Sequence, residues 1–411
     1  MRKPLTGKPR PLGAWAVVFG EMNLILKILY VVLNNFTNDT RVLRAATTGL
    51  ELGGRVTIFA LLRSGLPRSE NIGGAEVKRF RAITSLSSTN PLLRLVGYVH
   101  VVVLMILQGV RLRPDLVHAN DLPALPLGFL IARTTGAKLI YDSHELWADS
   151  RHRLLVPGWL FRMMRGAERF FARRADAVMT VSEAIADYMA RDLNIAKPVV
   201  VRNVPMASDD RRTGGHPLRG SLSISADVPL VLYQGGMSKG RDLFTLLKAM
   251  GKIKHPTGVM VFLGNGPLVP PLETAAQDMG IRKRVFFHPE VPPAELHRWT
   301  QEATLGICPM EGNCTSHTLS LPNKLFEYIQ AGVPVLASDL PEMKRIVSRY
   351  GVGEVYTAGD VAQLAGEIDK ILSNLKLRET YRQAAMVAAK TLHWGVEKET
   401  LIGVYQKLLL S

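Results

Sequence analysis

One segment of the chain combines a predicted helix start with a lysine and a glutamate. Ser320 is the expected cap, Pro322 falls in the predicted first turn, and an apolar helical pattern follows. Free backbone amides at a helix start, together with the helix dipole, attract an anion. Lys324 adds a positive charge in that turn, and a carboxylate at Glu327, about one turn later, can accept hydrogen bonds from both hydroxyls of a ribose. The spacing suits phosphate binding and a capped surface helix equally, so both interpretations stay open.

A glycine-rich turn, Gly235 to Gly240, joins a predicted strand to a predicted helix. Gly235 and Gly236 allow the backbone to approach a ligand closely, because they carry no side chain. Arg241 follows the turn and can pair with phosphate oxygens. Turns of this kind are common in α/β proteins, so this signal is weak by itself.

Polar residues also follow two predicted strands in the first half of the chain. His118, Asn120 and Asp121 close one strand, and the run from Asp142 to Glu145, which contains His144, closes another. Clusters at the carboxyl ends of strands are typical of an active-site rim. A lone histidine at such a place is more often structural, but two clusters favour a functional site.

Several familiar motifs are missing, which narrows the chemistry. Gly264 and Gly266 follow a predicted strand without the third glycine of a dinucleotide fingerprint, and no Gly-Lys-Ser/Thr phosphate loop occurs. Ala148 stands where a zinc-protease helix beginning at His144 would need its second histidine. No Asp-x-Asp pair occurs to hold a metal on a diphosphate, and the two cysteines match no zinc pattern. We therefore expect no metal site and no cofactor.

Short apolar runs rich in Val and Ile alternate with helical patterns along most of the chain, which predicts βαβ units and parallel sheets. The first series of predicted strands is 27–33, 56–60, 115–119, 138–141, 177–181 and 199–201. The second is 230–234, 259–263, 285–287, 305–308 and 333–337, followed by helices over 361–375, 379–392 and 397–410. We predict an α/β fold of two doubly wound domains, whose strand ends face each other across a cleft that holds the site.

The domain boundaries follow from where the periodicity stops. Residues 1–26 are predicted to be a disordered extension rather than a signal peptide, because prolines interrupt the apolar stretch and no cleavage site appears. We place the first domain at 27–205, a charged, glycine-containing linker at 206–227 and the second domain at 228–392. A C-terminal helix over 393–411 is expected to pack back on the first domain.

The composition bounds the class of protein. The chain has 411 residues, of which 47% are apolar and 21% charged, and this globular usage excludes a disordered protein or a small hormone. Lys and Arg number 51 against 35 Asp and Glu, and the net charge of +16 favours an anionic partner such as nucleic acid, phospholipid or a phosphorylated substrate. Only two cysteines occur, which indicates a reducing, intracellular compartment.

Two further segments bear on membrane contact. The stretch 95–110 is uncharged but shorter than the roughly 20 residues of a spanning helix, so we expect a helix packed on a sheet or lying at a membrane surface. The stretch 151–174 interleaves arginines with aromatic residues, which predicts an amphipathic interfacial helix on an anionic membrane rather than a base-reading surface. Packing of its apolar side on the first domain is the alternative.

As a set, these motifs strongly resemble glycosyltransferase family 4. The resemblance rests on the runs Asn38–Arg44, His118–Asp121, Tyr141–Leu146, Thr180–Ser182, Tyr233–Gly236, Leu321–Tyr328 and Ala331–Pro334, which occur in the family's order. It covers the chain from about residue 27 to the C-terminus. It implies a GT-B fold of two facing Rossmann-like domains, and transfer of a sugar from a nucleotide donor with retention at the anomeric carbon.

The resemblance also assigns roles by position. Glu327 matches the second glutamate of the family's E-x7-E motif, which binds the donor ribose, and Arg241 stands where the family usually has the lysine that holds the diphosphate. His118 matches the histidine near the transferred sugar, which orients sugar and acceptor, and Asp121 joins it in the expected catalytic set. The expected donor set is Gly235, Gly236, Arg241, Pro322, Asn323, Lys324 and Glu327, and the expected acceptor-side set is Asn38, Asp39, Arg41, His144 and Glu145.

Two positions depart from the family pattern. The first glutamate of E-x7-E, a sugar contact, is Leu319 here, and the usual arginine of the glycine turn is Gly236. The sugar contact and half of the phosphate clamp therefore differ from the family's, and Lys324 is expected to compensate.

The resemblance thus implies a retaining glycosyltransferase that moves a sugar from a nucleotide-diphosphate sugar to a lipid-linked or polysaccharide acceptor in cell-envelope or exopolysaccharide synthesis. The helix start at Pro322, with Lys324 and Arg241, would stabilise the leaving diphosphate without a metal. We expect a cytoplasmic protein, peripheral on the inner face of the cell membrane. The alternatives are a sugar-nucleotide epimerase of the same fold and a non-catalytic basic protein that binds membrane or nucleic acid.

Overall fold

The computed structural model describes residues 25–37, 39–149, 157–207, 215 and 217–410. These residues form two compact units: unit 1 runs to Arg202 and resumes at Glu397, and unit 2 comprises Asn203–Val396. Residues 1–24 of the predicted extension, 151–156 of the predicted interfacial helix, and 208–214 and 216 of the predicted linker lie outside the described residues.

Unit 1 is built on one eight-stranded sheet. Its strands are β1 (Lys27–Val31), β2 (Arg55–Leu61), β3 (Ser69–Ile72), β4 (Ala75–Phe80), β5 (Leu116–Asn120), β6 (Lys138–Ser143), β7 (Ala177–Thr180) and β8 (Val199–Val200). They lie in the order β3-β4-β2-β1-β5-β6-β7-β8, and β3 alone runs antiparallel to its neighbour among these described strands. The connections change direction between β1 and β5, and ligands of such sheets bind at this switch point.

The helices between these strands are α1 (Thr40–Glu51), α2 (Pro91–Leu112), α3 (Asp121–Thr135), α4 (Gly158–Ala172) and α5 (Glu183–Leu193). Side chains cap several of them. Asp39 accepts from the Val42 amide at 3.2 Å and Asn90 from the Leu92 amide at 2.9 Å. Such caps satisfy amides that have no partner inside the helix, which fixes where each helix begins.

The sequence analysis missed the hairpin of β3 and β4 at the edge of the unit 1 sheet. Ile72 pairs with Ala75, so Gly73 and Gly74 form a two-residue turn, with φ angles of 58° and 92°. These strands are short and carry charged residues, as edge strands commonly do, and their apolar pattern is therefore weak. The glycine pair between two short runs was the available signal.

Unit 2 contains a second sheet, which is parallel throughout. Its strands are β9 (Leu230–Gln234), β10 (Val259–Leu263), β11 (Val285–His288), β12 (Leu305–Cys308), β13 (Val335–Ser338) and β14 (Gly353–Tyr356). The order is β11-β10-β9-β12-β13-β14, which places the switch point between β9 and β12. The bounds of β9, β10 and β12 are as predicted, whereas β14 was missed because its four residues include the charged Glu354.

The helices of unit 2 are α6 (Pro217–Leu222), α7 (Leu243–Met250), α8 (Val269–Asp278), α9 (Leu296–Thr300), α10 (Thr315–Thr318), α11 (Asn323–Gln330), α12 (Pro341–Tyr350), α13 (Val361–Ser373) and α14 (Leu375–Ala389). Helix α6 lies within the segment that the sequence analysis assigned to the linker. Alternate residues of β9 bury on opposite faces of the sheet: Leu232 packs in one core cluster with Leu325, and Val231 packs in the other with Leu246. Both faces are covered, as in doubly wound sheets.

The last helix, α15 (Trp394–Leu409), returns to unit 1 from Glu397 onward. Glu397 forms an ion pair with Arg202 at 2.6 Å, and Lys398 pairs with Glu51 at 2.8 Å. Tyr405 of the same helix reaches the hydroxyl of Tyr30 on β1. The C-terminal segment is thus anchored on unit 1 by both charged and buried contacts.

Two turns at the carboxyl edge of the unit 2 sheet approach each other closely. Gly264, which follows β10, has a φ of 144°, and a Cβ built on it would lie 2.3 Å from the carbonyl oxygen of Gly235 after β9. No side chain fits at this separation. Gly264 and Gly266, which do not complete a dinucleotide fingerprint, therefore have a packing role, because they allow the turns after β9 and β10 to contact each other.

We expect Gly264→Ala to lower the free energy of unfolding by at least about 2 kcal/mol, because it forces both a strained φ and a backbone clash. The matched control is Gly366→Ala in the interior of α13, where a Cβ meets nothing within 4 Å. That change should stabilise the protein by about 0.5–1 kcal/mol. Urea unfolding of both variants checks this, and equal stabilities of the two would contradict the close approach of the turns.

Candidate functional site

A buried lysine ammonium lies at the switch point of the unit 2 sheet. Lys324, on α11, is only 8% exposed, and its Nζ stands 3.6 Å above the centre of the Tyr233 ring. A Cβ on Gly235 would lie 3.5 Å from the same Nζ, so the ammonium faces the turn after β9. Among the described residues, no carboxylate lies within ion-pair distance of this nitrogen.

The electrostatics of Lys324 follow from that position. Burial is the main reason that its pKa falls from the usual 10.5 to about 7; the charge of Arg241 also lowers the pKa, while Cys308 and Glu327 partly raise it. The ring face of Tyr233 offers some attraction to a cation, but not a full counter-charge. An anion placed beside Nζ would supply that counter-charge, which makes this point of the sheet edge a candidate anion site.

The start of α11 adds backbone donors to the same edge. Pro322 is the N-cap, with extended backbone angles, and no side chain caps the helix. The prediction that Ser320 caps it is wrong, because the Ser320 hydroxyl donates to the carbonyl of His317 at 2.9 Å. The first amides of α11, at Asn323 and Lys324, therefore have no side-chain cap and suit an anion.

Glu327 is held in place by a chain of buried polar groups that the sequence analysis missed. The side-chain amide of Gln234 donates to Glu327 Oε2 at 2.6 Å, and the Thr300 hydroxyl donates to Gln234 Oε1 at 2.8 Å. Because Gln234 is buried and bonded at both ends, the carboxylate of Glu327 is oriented in advance. An uncharged amide at the last position of a buried strand was the signal that could have found it.

The other donor-set residues lie along the same edge of unit 2. Gly235 and Gly236 are exposed, and Gly235 has a φ of 113° that favours glycine. Arg241 directs Nη1 towards the Met310 sulfur at 3.7 Å. His288, at the end of β11, stacks at an angle on Trp299 with ring centres 4.6 Å apart. The structure thus brings the predicted donor set together at one sheet edge.

In unit 1, the polar clusters converge on the buried carboxylate of Asp142. Arg41 forms two hydrogen bonds with it, from Nη2 at 2.6 Å and from Nε at 3.1 Å. Burial alone would raise the pKa of Asp142, yet the charges of Arg41 and His144 and the hydrogen bond from His118 hold it well below the usual value. Arg41 was expected on the acceptor side, but it is buried and also bonds the Val201 carbonyl, so it has a structural role.

His118 is buried near the end of β5. It is 0% exposed, it lies 3.2 Å from both Asp142 Oδ2 and the Tyr405 hydroxyl, and it stacks on Tyr30. Burial lowers its pKa, which favours the neutral ring. In this structure His118 therefore helps to position Asp142. Its expected role near the transferred sugar stays a prediction.

The pair His144 and Asp121 is the partly exposed part of this cluster, with side-chain exposures of 18% and 29%. The amide of His144 donates to Asp121 Oδ1 at 2.9 Å, and its ring nitrogens lie 3.6 Å from Asp121 Oδ2 and 3.4 Å from Asp142 Oδ2. Burial would lower the pKa of His144, but the two carboxylates raise it to about 9. Asp121 has a φ of 64°, an uncommon backbone state for a residue with a side chain that often marks functional sites. We call this pair of side chains at the sheet edge the acceptor rim. At neutral pH it carries a cationic hydrogen-bond donor, His144, beside a carboxylate acceptor, Asp121.

The remaining acceptor-side residues are placed as follows. Asp39 caps α1 and also accepts from the Asn34 side chain at 2.9 Å, Glu145 is exposed next to His144, and Asn38 lies outside the described residues. Within the described part of the chain, no group of three His, Cys, Asp or Glu side chains is placed to hold a metal ion.

Two family models match the chain in succession. A glycosyl transferase 4-like domain matches residues 39–205, and a glycosyl transferases group 1 domain matches residues 217–387. This chain belongs to glycosyltransferase family 4. It is a glycosyltransferase with the GT-B fold, so the resemblance and the fold class predicted from sequence are confirmed.

Two relatives and one solved structure illustrate which proteins this chain is similar to. A D-inositol 3-phosphate glycosyltransferase of Acidothermus cellulolyticus is 27% identical over 312 residues, which cover 72% of this glycosyltransferase and 67% of that protein. An alpha-monoglucosyldiacylglycerol synthase of Streptococcus pneumoniae is 25% identical over 59% of this chain and 56% of that protein. The crystal structure of Anabaena HepE in complex with UDP-glucose has a TM-score of 0.73 and 16% identity, covering 93% of this chain and 100% of that one. At that identity the structural likeness shows the shared fold.

The raised pKa of His144 predicts how stability depends on pH. Its pKa is about 9 in the folded protein and near 6.5 when unfolded, so the stabilisation is complete below pH 6.5 and is lost as the pH rises through 9. We expect His144→Gln to lower the free energy of unfolding by about 1.5–3 kcal/mol at pH 6 and by much less at pH 10. Urea unfolding of both proteins at the two pH values checks this, and an equal loss at both would contradict a cationic His144.

Proposed function

We propose that the protein is a retaining glycosyltransferase that binds a nucleotide-diphosphate sugar in unit 2 and transfers the sugar to a lipid-linked or polysaccharide acceptor. The observation that carries the proposal is the buried ammonium of Lys324 beside the uncapped start of α11. A diphosphate at that point completes the charge balance of Lys324 and takes hydrogen bonds from the first amides of α11. We place the work of the enzyme at the cytoplasmic face of the cell membrane, in the synthesis of envelope or exported polysaccharide.

The main chemical task of the site is to stabilise the leaving group. The bond between the anomeric carbon and a phosphate oxygen breaks, and negative charge develops on the nucleoside diphosphate. An acceptor hydroxyl oxygen bonds the carbon on the face that the phosphate leaves, and the hydroxyl proton passes to the departing phosphate oxygen. The helix start, Lys324 and Arg241 stabilise the developing charge, since preorganised donors and cations lower such barriers most in a dry site. Lys324 must be protonated to do so, and the incoming diphosphate favours that state.

Glu327 supplies recognition of the nucleotide rather than chemistry. Its carboxylate accepts hydrogen bonds from the two ribose hydroxyls, and Gln234 keeps it in the orientation that allows both. His288 at the end of β11 and the residues after it offer backbone groups and an imidazole ring to the base. In this arrangement the segment after β11 recognises the base, and fixed side chains recognise the ribose and diphosphate that nucleotide-sugar donors share.

The acceptor side of the proposal rests on Asp121 and His144. Asp121 can accept a hydrogen bond from a sugar or lipid hydroxyl, and the cationic His144 can donate to an oxygen of the same acceptor. The names of the relatives from Acidothermus and Streptococcus include a phosphorylated polyol and a glycosylated diacylglycerol. They support acceptors that carry hydroxyl groups, from soluble polyols to membrane lipids.

Removing either charged donor-site residue should weaken nucleotide-sugar binding. We expect Lys324→Met and Glu327→Ala each to raise Kd about 10- to 100-fold, because each loses charge-assisted hydrogen bonds worth about 1.5–3 kcal/mol. The measurement is calorimetric titration with the nucleotide sugar, from a panel including UDP-glucose, GDP-mannose and ADP-glucose, that raises the thermal midpoint most. The matched controls are Lys376→Met, at an exposed residue of unit 2, and Glu273→Ala, at a half-buried one.

Unchanged affinity in both donor-site variants would contradict the proposal. Product analysis then separates the enzyme classes: transfer to an added acceptor supports a glycosyltransferase, whereas conversion of the nucleotide sugar to an isomer without acceptor supports an epimerase.

The site predicts turnover without a divalent metal ion. Lys324, Arg241 and the α11 amides supply the positive charge that a metal would otherwise give to the diphosphate. We expect the same kcat with excess EDTA as with added Mg²⁺, measured as release of nucleoside diphosphate. Loss of turnover in EDTA that Mg²⁺ or Mn²⁺ restores would contradict this account of the leaving group.

A further inference from the structure

Helix α2 carries an exposed apolar face along its whole length. Its buried residues are Gly97, Val101, Met105 and Gly109, spaced four apart along one side. Leu95, Val99, Val103 and Leu107 follow the same spacing but lie two residues away, or about 200° around the helix, and all four are exposed. A helix that has no charged residue between Arg94 and Arg111 and buries one side only leaves its other side unexplained by the fold of unit 1.

The length and composition of α2 alone would allow it to cross a membrane, and among the described residues it is the one helix of which this is true. The sheet argues against crossing. Helix α2 joins β4 to β5, and both strands pair within the same sheet through β2 and β1. Its two ends cannot lie on opposite sides of a bilayer without breaking that sheet, so α2 lies along a surface.

Helices α3 and α4 extend this surface on the same side of the sheet. The crossovers β4–α2–β5, β5–α3–β6 and β6–α4–β7 all step in one direction, and right-handed crossovers then place their helices on one face. Gly109 lets Ile131 of α3 pack against α2, and Phe129 of α3 stacks against Phe171 of α4 at 5.2 Å. Trp159 and Met163 of α4 are exposed. We call Leu95, Val99, Val103, Leu107, Trp159 and Met163 the docking face.

The exposed charged side chains of α2, α3 and α4 are all arginines. Arg94, Arg111, Arg133 and Arg162 are exposed on the three helices. The acids of these fully described helices are Glu168, which is buried against Tyr141, and Asp121, which belongs to the acceptor rim. Arg165, in contrast, pairs with Asp149 at 2.6 Å and bonds Tyr188, so it serves the fold. An apolar surface rimmed by arginines complements anionic phospholipid, while a second copy would bring the same arginines against it.

The geometry points to a function for this surface: the docking face seats unit 1 on an anionic phospholipid bilayer, with the α2 side chains in the boundary between head groups and acyl chains. Helix α2 begins at the carboxyl edge of the sheet, the edge that carries Asp121 and His144. Docking through this face therefore sets the acceptor rim beside the lipid surface. The inference deepens the proposed function by naming how a lipid-linked acceptor reaches the site, but the binding itself does not depend on sugar transfer.

The test is sedimentation of the full chain with vesicles of phosphatidylcholine alone or with phosphatidylglycerol at a 7:3 ratio. We expect wild-type protein to bind the anionic vesicles at low salt and the neutral ones at least tenfold more weakly. The triple variant Leu95→Gln, Val99→Gln, Val103→Gln should bind at least tenfold more weakly at every salt concentration, because it loses the apolar contact. The triple variant Arg94→Gln, Arg133→Gln, Arg162→Gln should lose binding at low salt and show a smaller salt dependence.

The matched control is Leu375→Gln with Val387→Gln, two exposed apolar residues of unit 2 that lie outside the docking face, and its vesicle binding should equal the wild type. Thermal midpoints of all variants check that the fold is kept. Quenching of tryptophan fluorescence by brominated lipid, lost in Trp159→Phe, gives a second readout that does not depend on α2.

Three results would overturn the inference. Wild-type protein that binds neither vesicle, equal binding of the α2 triple variant and the wild type, or a wild-type dimer that the same variant converts to monomer would each do so, the last by making the face a subunit contact. None of these outcomes changes donor binding by unit 2, so they are distinguishable from failure of the proposed function.

Discussion

Unit 2 is organised around a buried lysine ammonium that lacks a counter-ion among the described residues. Placing Lys324 over Tyr233, at the switch point of a parallel sheet, costs solvation that the ring face and the charge of Glu327 offset in part and that a bound anion would restore. The surrounding features follow from this constraint. The glycine turns after β9 and β10 leave room at Nζ, the start of α11 has no side-chain cap, and Glu327 is fixed by Gln234 rather than drawn towards the lysine.

In unit 1, by contrast, the buried charges around Asp142 are paired with one another. The carboxylate of Asp142 pairs with Arg41 and His144, and it is also hydrogen-bonded to the ring of His118. A network satisfied in this way is rigid, and removing one partner leaves the others buried and unpaired. The rigid part holds Asp121 and His144 at the sheet edge, so the cluster supports an acceptor rim without itself being the point of contact.

The sequence was sufficient for the fold class, and it indicated which residues come together at the candidate donor site, because both depend on local patterns. Strand runs such as Leu230–Gln234 bury on both faces and stand out as apolar, and Pro322 with Lys324 and Glu327 falls within one short helix. Long-range partners were out of reach. The burial of His118 depends on Tyr405, which lies 287 residues away, and Arg41 meets Asp142 across 101 residues. Contacts between residues so far apart in the sequence cannot be recognised from local spacing, so these structural partners of His118 and Arg41 were not predicted.

The most direct test of this account is the titration of Lys324 itself. In protein labelled with ¹³C and ¹⁵N at lysine, the Cε and Nζ resonances of Lys324, assigned by comparison with Lys324→Arg, report its pKa with and without the nucleotide sugar that stabilises the protein most. The account predicts a pKa of about 7 in the free protein and a shift to higher pH when the diphosphate binds. A pKa near 10.5 in the free protein, with no change on adding any nucleotide sugar, would contradict it.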